Sequence, residues 1–374
     1  MQRAYIPAAL SRQPWHVLIP LTVLVLFGSA VLHSAAGGSL YPWALTHVIR
    51  FVVFLVMAML IARIPREWFR AAAFPTYVVL LLLLALVEAI GGIGGGSQRW
   101  LNLGFMTLQP SELMKPGIVL VLARFFELLP PSETQGMRAV IPALGLLAIP
   151  AGLVMLQPDL GTGLAISFGA VIVMFLAGLP LRLFIGGGLA ALIAAPLAFF
   201  FLLHDYQRQR VFTFLDPESD PLGTGYHITQ SKIAIGSGGI FGKGFGNGTQ
   251  SHLDYLPEPH TDFVFATMAE EWGIAGGLFV LFVFGLILRW GMRVAQNAPD
   301  RFSRLLAAGL TTTIFFYVAI NLLMVMGLAP VVGIPLPFMS HGGSSMMTNM
   351  ICIGGIMAVE RWSKRSYGGL SSLS

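Results

Sequence analysis

The sequence predicts an all-α integral membrane protein, a bundle of about ten transmembrane helices with a large extracytoplasmic loop between the seventh and the eighth. Three observations support this prediction. Of 374 residues, 56% are hydrophobic and only 10% are charged, whereas soluble domains carry about 25% charged residues. The mean hydropathy is +0.77, and the apolar residues form long runs. These values exclude a soluble globular chain and a disordered one.

Ten apolar runs are long enough to cross a bilayer, which takes about 20 residues per helix. The predicted spans are 15–36, 43–62, 72–93, 110–128, 139–156, 162–179, 182–203, 262–288, 305–327 and 343–360. The first has a weak signal-peptide cleavage pattern at its end. Because nine further spans follow, we interpret it as an uncleaved helix. All ten belong to one polytopic domain, residues 1–374.

The distribution of Lys and Arg orients the bundle. One side holds Arg3, Arg12, Arg63, Arg66, Arg70, Arg138, Arg182, Arg289, Arg293, Arg301, Arg304, Arg361, Lys364 and Arg365. The short loops of the other side hold only Arg99. Since positive charge accumulates on the cytoplasmic side, we expect both termini to be cytoplasmic.

The net charge of +5 has the same origin. In a membrane protein such an excess indicates cytoplasmic loops and anionic lipid. No basic cluster is interleaved with aromatic residues, so no nucleic-acid partner is expected. A single cysteine, Cys352, excludes an intrachain disulfide.

The extracytoplasmic side keeps one long segment, residues 204–261, called the outer segment below. It is polar and rich in Gly and Pro, and it is too long for a passive connector. Apolar residues are spread through it, which predicts short helices packed on the outer mouth of the bundle. Shorter outer loops are expected near 94–109 and 328–342.

Glu112 and Lys115 lie in the fourth predicted span, where ionisable groups are costly. Their i,i+3 spacing puts them on one helix face. Pro110 and Ser111 favour a helix start, and an acid in the first turn suits the helix dipole. Two interpretations stay open: a buried structural ion pair, or a polar cavity wall in which Lys115 meets an anionic substrate.

Two aspartates stand at span edges. Asp159 opens the sixth span, as a helix cap or as a substrate contact. Asp262 stands where the outer segment enters the eighth span, as a helix cap or as a functional acid, and Thr261 beside it is already suited to the capping role. Glu270 and Glu271 follow about two turns deeper. A column of acids of this kind favours a cavity, and so a functional role for Asp262.

Further candidates lie in and after the outer segment. Residues 236–248 are dense in glycine, whose amides can cradle phosphate, and Lys243 adds positive charge. The P-loop spacing is absent, and a flexible loop is the alternative. Arg210 and Lys232 supply further charge. Ser344 precedes the tenth span in a run of small residues that serves either substrate binding or close helix packing.

Taken together, these motifs resemble the SEDS family (shape, elongation, division and sporulation) over nearly the whole chain. The matching stretches are RW (99–100), QPSELMK (109–115), QPDLGT (157–162), FLDPESDPLG (214–223), GYHITQSKIAIGSGG (225–239), HTDF (260–263) and GIPLPFMSHGGSS (333–345). Such stretches are long and specific. The phrase VVGIPLPF (331–338) resembles the elongation branch of the family.

The resemblance implies a ten-span peptidoglycan glycosyltransferase of the bacterial cytoplasmic membrane. It implies polymerisation of lipid II on the outer face, in complex with a class B penicillin-binding protein and with other membrane proteins of the elongation complex. The essential aspartate of the family falls on Asp262. The Glu and Lys of its fourth span fall on Glu112 and Lys115.

The implied chemistry is one inverting displacement, from an α-linked lipid diphosphate to a β-1,4 glycan. Asp262 is expected to act as the base that takes the acceptor hydroxyl proton. Arg210, Lys232 and Lys243 are expected to surround the departing diphosphate. The metal requirement is left open: no ligand cluster is visible in the sequence, and Mg²⁺ or Mn²⁺ bound together with the diphosphate is the option considered.

Two positions depart from the pattern of the family. His341 stands where a Tyr is frequent, and Pro259 stands where a basic residue is frequent. The second departure leaves the diphosphate to Arg210 or Lys232.

Two other classes of function fit the composition. A lipid-linked precursor flippase or transporter would favour inverted repeats and acids at mid-membrane; no repeat is visible, and the polar residues cluster toward the outer face. A non-catalytic scaffold of the elongation complex would be indifferent to substitution of Asp262.

Overall fold

The computed structural model describes residues 14–90, 92–94, 97–102, 107–157, 159–201, 205–216, 224–253, 255–256 and 258–370. The helices are α1 (Trp15–Ala35), α2 (Trp43–Ile61), α3 (Arg66–Ile90), α4 (Pro110–Leu128), α5 (Met137–Leu156), α6 (Leu160–Leu176), α7 (Leu181–Phe201), α8 (Asp205–Leu215), α9 (Thr224–Ser237), α10 (Thr249–His252), α11 (Val264–Gln296), α12 (Arg301–Val325) and α13 (Gly343–Leu370). A 3-10 turn, Pro131–Glu133, lies between α4 and α5.

The all-helical membrane class is confirmed. Each predicted span coincides with one long helix, α1 to α7 or α11 to α13. Seven of these helices are long and apolar enough to cross a membrane, namely α1, α2, α3, α5, α7, α11 and α12. Helix α6 is shorter, and α4 and α13 are more polar. The number of helices that cross the bilayer therefore stays a prediction.

Helix α12 lies at the centre of the bundle and packs against α4, α6, α11 and α13. Lipid gives no hydrophobic drive for helices to associate, so close approach of small residues matters. At Gly309 of α12, an added Cβ would lie 2.5 Å from Val119 and 2.6 Å from Val173. Glycine at this position lets α4 and α6 both reach the central helix.

Short strands occupy the region predicted as a loop near 94–109. Strand β1 (Gly92–Gly94) pairs antiparallel with β2 (Ser97–Asn102), which pairs antiparallel with β3 (Thr107–Leu108). The third span, predicted to reach 93, ends at Ile90 because the strand begins two residues later.

Short helices occupy the outer segment, as predicted, since α8, α9 and α10 lie between α7 and α11. Helix α9 packs against α11 and α12. Its Ser231 hydroxyl donates a hydrogen bond to the carbonyl of Val325, 2.7 Å away at the end of α12. This contact places α9 over the end of the central helix that also carries Asn321, near Asp262.

Candidate active site

A closed polar cluster joins α4 to α12. Lys115 donates hydrogen bonds to Glu112 at 2.5 Å and to the hydroxyl of Tyr317 at 2.6 Å. The Tyr317 hydroxyl in turn donates to the second oxygen of Glu112. The Lys115 ammonium also lies 4.3 Å from the centre of the Tyr317 ring. All three side chains are buried, so each charge has a partner, as a buried charge requires.

Asp159 caps α6, which supports the capping interpretation. Its carboxylate accepts a hydrogen bond from the amide of Thr162 at 3.1 Å. It also accepts one from the side chain of Gln109 at 3.1 Å. Gln109 directly precedes α4. The aspartate therefore ties the start of α6 to the helix that carries Glu112 and Lys115.

Asp262 is half-buried and lies immediately before α11. It is not the helix cap: Phe263 occupies that position, and no side chain caps the helix. The expectation that Thr261 would cap the helix is wrong, because its hydroxyl donates to the carboxylate of Glu258 at 3.0 Å. A Cβ added at Gly333 would lie 3.5 Å from the Asp262 carboxylate. The carboxylate thus lies close to the backbone at Gly333.

The side chain of Asn321 fixes the backbone around Asp262. Its amide donates to the carbonyl of Asp262 at 2.9 Å and to the carbonyl of Ile334 at 2.7 Å. Asn321 lies one turn beyond Tyr317 on α12, about 6 Å along the helix axis and on the same face. The buried charge cluster and the amide that holds the main chain of Asp262 therefore lie on adjacent turns of one face of α12.

The stretch 326–342, called the connector below, runs between α12 and α13. Gly161 of α6 approaches it closely, since an added Cβ would lie 3.0 Å from the carbonyl of Val332. Gly28 of α1 does the same at Met339, at 2.7 Å. Ser340 donates to the carbonyl of Thr261 at 2.6 Å. Several elements thus hold the connector against the turn that carries Asp262.

His341, near the end of the connector, lies beside a cation. Its Nε2 lies 2.8 Å from the guanidinium of Arg50. The ring of Trp43 packs edge-on against His341 and stacks on His260. Burial, together with the charge of Arg50, lowers the pKa of His341 from 6.5 to about 4. The histidine is therefore neutral at physiological pH.

Lys232 and Ser344 lie at the same end of the bundle as Asp262. The exposed Lys232 lies over Gly327, whose added Cβ would be 2.8 Å from the lysine ammonium. Ser344 is buried and donates to the carbonyl of Thr107 at 3.2 Å. Arg210 belongs to α8, but its side chain lies outside the described residues.

Lys243 is bound within the protein. Its ammonium donates to the carboxylate of Glu270 at 2.6 Å and to the hydroxyl of Thr249 at 2.9 Å. Glu270 also accepts from the amides of Thr249 and Gln250. Glu271, its neighbour, accepts from the hydroxyl of Ser34. The two acids predicted to line a cavity therefore hold the glycine-rich segment and α1 in place.

The glycine-rich segment repairs a break in α11 at Gly273, where φ is 63° and ψ is −158°. A continuous helix would bond the amides of Ile274 and Ala275 to the carbonyls of Glu270 and Glu271. These two amides instead donate to the carbonyls of Gly239 and Ile240, each at 3.0 Å.

The break leaves the carbonyls of Glu270 and Glu271 without their helical donors, and the same segment supplies replacements. The two carbonyls accept from the amides of Lys243 and Gly244, each at 3.0 Å. A Cβ at Gly242 would lie 2.1 Å from the carbonyl oxygen of Glu271. The glycines thus allow the two backbones to approach each other closely. Neither of the two predicted interpretations, a phosphate cradle or a flexible loop, included this role.

Tyr317 and Asn321 were not among the residues predicted from the sequence. Both are polar residues inside an apolar span, four positions apart. That spacing on one helix face is the signal that would have identified them.

The architecture and the buried polar residues define a multi-pass helical membrane protein with a half-buried acid, Asp262, held by its main chain against the central helix. The chain belongs to the FtsW/RodA/SpoVE family of cell cycle proteins, whose model matches residues 11–365. This match confirms the resemblance stated above.

Named relatives are similar over nearly their whole length. Peptidoglycan glycosyltransferase MrdB of Escherichia coli (strain K12) is 44% identical over 349 residues, 92% of each chain. Probable peptidoglycan glycosyltransferase FtsW of Coxiella burnetii is 36% identical, over 93% of this chain and 96% of the relative.

Two solved structures share the fold. One is a chain from a peptidoglycan synthase complex that coordinates polymerization and crosslinking, with a TM-score of 0.81 and 33% identity over 94% of this chain and 98% of that one. The other is the Thermus thermophilus rod shape determining protein RodA, with a TM-score of 0.70 and 30% identity over 94% and 97% of the two chains.

Proposed function

We propose that this protein is a peptidoglycan glycosyltransferase that polymerises lipid II at the outer face of the bacterial cytoplasmic membrane during cell elongation. The observation that carries the proposal is the placement of Asp262, half-buried beside the central helix α12, whose Asn321 binds its main chain. The similarity to MrdB over 92% of the chain supports the reaction class. Both termini then lie in the cytoplasm, as the distribution of Lys and Arg predicts.

Asp262 acts as the general base. Its main chain is fixed by Asn321 and by the connector, so the carboxylate stands in a defined place. A positioned base takes the proton of the acceptor sugar hydroxyl as the new glycosidic bond forms at the anomeric carbon of the donor. The lipid diphosphate leaves with the bonding electron pair. A base of this kind contributes about 10²–10⁴ in rate.

Lys232 is the cation best placed for the departing diphosphate, because it is exposed at the same end as Asp262. Arg210 joins it as a second candidate, from the sequence alone. Lys243 is assigned to the clamp on Glu270, and Glu112, Lys115 and Asp159 to positioning the helices around the site. Ser344 is assigned to holding the start of α13 against β3.

A divalent cation would depend on the substrate. In the part of the chain that the structure describes, no group of three or more His, Cys, Asp or Glu side chains could hold a metal ion. Mg²⁺ or Mn²⁺ at this site would take most of its ligands from the diphosphate, and no step of the reaction is assigned to it.

An apolar cleft beside α4 has room for a short apolar segment, such as a few isoprene units of a polyprenyl tail. It has a volume of about 240 Å³ and lies one turn from Glu112 and Lys115. Its lining comprises Ile61, Phe69, Thr76, Leu80, Leu113, Pro116, Gly117, Leu120, Leu306, Leu310, Ile351 and Gly355. A class B penicillin-binding protein is the proposed partner, in line with the synthase complex of similar fold.

The test is polymerisation of labelled lipid II by the purified protein, alone and with its transpeptidase partner. Asp262→Asn keeps the shape of the side chain and removes the base, so we expect a loss of about 10²–10⁴ in rate. Glu258→Gln removes an exposed carboxylate four residues away and serves as the matched control.

Retention of near wild-type activity by Asp262→Asn would remove the acid from the mechanism. Movement of lipid II across vesicles without polymer would favour a flippase. If the partner, and not this protein, proves to form the polymer, a non-catalytic scaffold would be favoured.

A further inference from the structure

A second cavity lies at the opposite end of the bundle from Asp262. Its volume is about 810 Å³, and it opens between the start of α1, the last turns of α11 and the later half of α13. Arg289 lies 27 residues after Asp262, so a helix rise of 1.5 Å per residue puts the cavity up to about 40 Å from the acid. The two sites are therefore distinct.

One carboxylate in this cavity is fully engaged. Glu360 accepts from the indole nitrogen of Trp290 at 3.1 Å. It also pairs with Lys364 at 2.8 Å and lies 3.5 Å from the ring nitrogen of His16. Its negative charge is thus balanced within the cavity wall before the arginines of α11 are considered.

Two arginines of the wall carry charge that nothing in the described part of the chain balances. Arg289 and Arg293 are exposed and lie four residues apart, on one face of α11. Neither has an ion pair or a hydrogen bond to a side chain within the described residues. Three cationic side chains, these two and Lys364, therefore face a single carboxylate.

The same wall is apolar toward the bundle. Leu286 and Val294 line the cavity together with the buried ring of Trp290. Arginine pairs favour phosphate, which they bind in a planar, bidentate geometry. Basic pockets between membrane helices at the cytoplasmic side are suited to phospholipid head groups. An occupant that is anionic at one end and apolar at the other matches both parts of the wall.

We propose that this cavity binds the head group of an anionic phospholipid, with Arg289 and Arg293 on its phosphate and the start of an acyl chain against Leu286 and Val294. The site is independent of the glycosyltransferase reaction. It would fix the end of α11, the helix that begins beside Asp262, to the membrane.

The test measures how phosphatidylglycerol, added to the detergent-solubilised full-length protein, raises the thermal unfolding temperature. Phosphatidylcholine and inorganic phosphate are added in parallel. We expect stabilisation by phosphatidylglycerol alone. Arg289→Gln with Arg293→Gln should weaken the apparent affinity about 30-fold, roughly fivefold for each arginine. Arg293→Gln alone should weaken the apparent affinity by the smaller factor, and it replaces the double variant if that variant folds poorly.

The matched control is Arg63→Gln with Arg182→Gln, which removes two exposed arginines outside the cavity and from the same predicted side. It should keep the wild-type affinity. The proposal is overturned if both double variants lose affinity equally, since the effect would then come from general surface charge. It is also overturned if inorganic phosphate stabilises as well as the lipid, which would indicate a soluble anion.

Discussion

At the scale of single residues, the hydroxyl of Tyr317 lies at the centre of the buried cluster. It accepts from Lys115 and donates to Glu112, and all three side chains are buried. Removing one partner of a buried charge leaves the others unsatisfied, which costs more than the net value of the bond. The cluster therefore depends on the tyrosine more than a count of hydrogen bonds suggests.

Tyr317→Phe is expected to lower the free energy of unfolding by about 1–3 kcal/mol. The measurement is thermal unfolding in detergent. Tyr77→Phe is the matched control, because it removes a single neutral hydrogen bond to the carbonyl of Leu146. Equal losses in the two variants would contradict the charged character of the cluster.

His341 should make stability depend on pH. Its pKa in the folded protein is about 4, below the usual 6.5. The unfolded chain therefore takes up a proton first as the pH falls. The contribution of His341 is full above pH 6.5 and is lost progressively toward pH 4.

His341→Gln should remove this part of the pH dependence. The measurement is the difference in unfolding temperature between variant and wild type across that pH window. A difference that stays constant with pH would show that the histidine titrates normally.

At the scale of elements, the break in α11 is the feature on which the outer end depends. Four backbone hydrogen bonds join it to residues 239–244. Gly273 adopts a conformation that is essentially restricted to glycine. An added Cβ there would lie 2.5 Å from the amide nitrogen of Gly242.

Gly273→Ala is expected to destabilise the protein by about 3 kcal/mol or more, from strain and from the collision. Gly152→Ala in α5 is the control, because an added Cβ there meets nothing within 4 Å. That change should be neutral or slightly stabilising. Thermal unfolding of the two variants compares them, and similar unfolding temperatures would argue against the repaired break.

Helix positions could be predicted from hydropathy because lipid demands long apolar runs, as α1, α2 and α5 illustrate. The predicted bounds of a helix were wrong where polar residues extend the helix beyond its apolar run. The third span was predicted to begin at 72, whereas α3 begins at Arg66 with its arginines inside the helix. There, Arg66 binds Asp300 at 2.6 Å, so tertiary contacts rather than apolar character set the start.

At the scale of the whole molecule, the residues of the site come from helices far apart in sequence. The position of Asp262 at a span edge could be predicted, since an acid beside lipid is unusual. Its contact with Asn321 could not, because no local pattern reports which helix lies opposite. Likewise, the attraction between Lys243 and Glu270 depends on a break in α11 that the apolar pattern does not reveal.

The orientation of the bundle can be tested by labelling single cysteines in intact cells with a membrane-impermeant maleimide. Phe241→Cys, at a residue that is 82% exposed in the outer segment, should react from outside. Arg138→Cys, at a side chain that is also 82% exposed, should react only after the membrane is permeabilised. The native Cys352 is buried and should stay unlabelled. Reversed reactivity would place the termini outside.

The repaired break in α11 has a consequence for how this region tolerates change. All four hydrogen bonds between α11 and residues 239–244 join main-chain atoms. They therefore depend on the number of residues between the donors and acceptors and not on the identity of the side chains. Substitution of the exposed Phe241 should leave these four hydrogen bonds intact. Insertion or deletion of a single residue between Ile240 and Lys243 would shift the donors of this segment relative to its acceptors, so that the four bonds could not form together. The length of the loop is therefore strictly fixed.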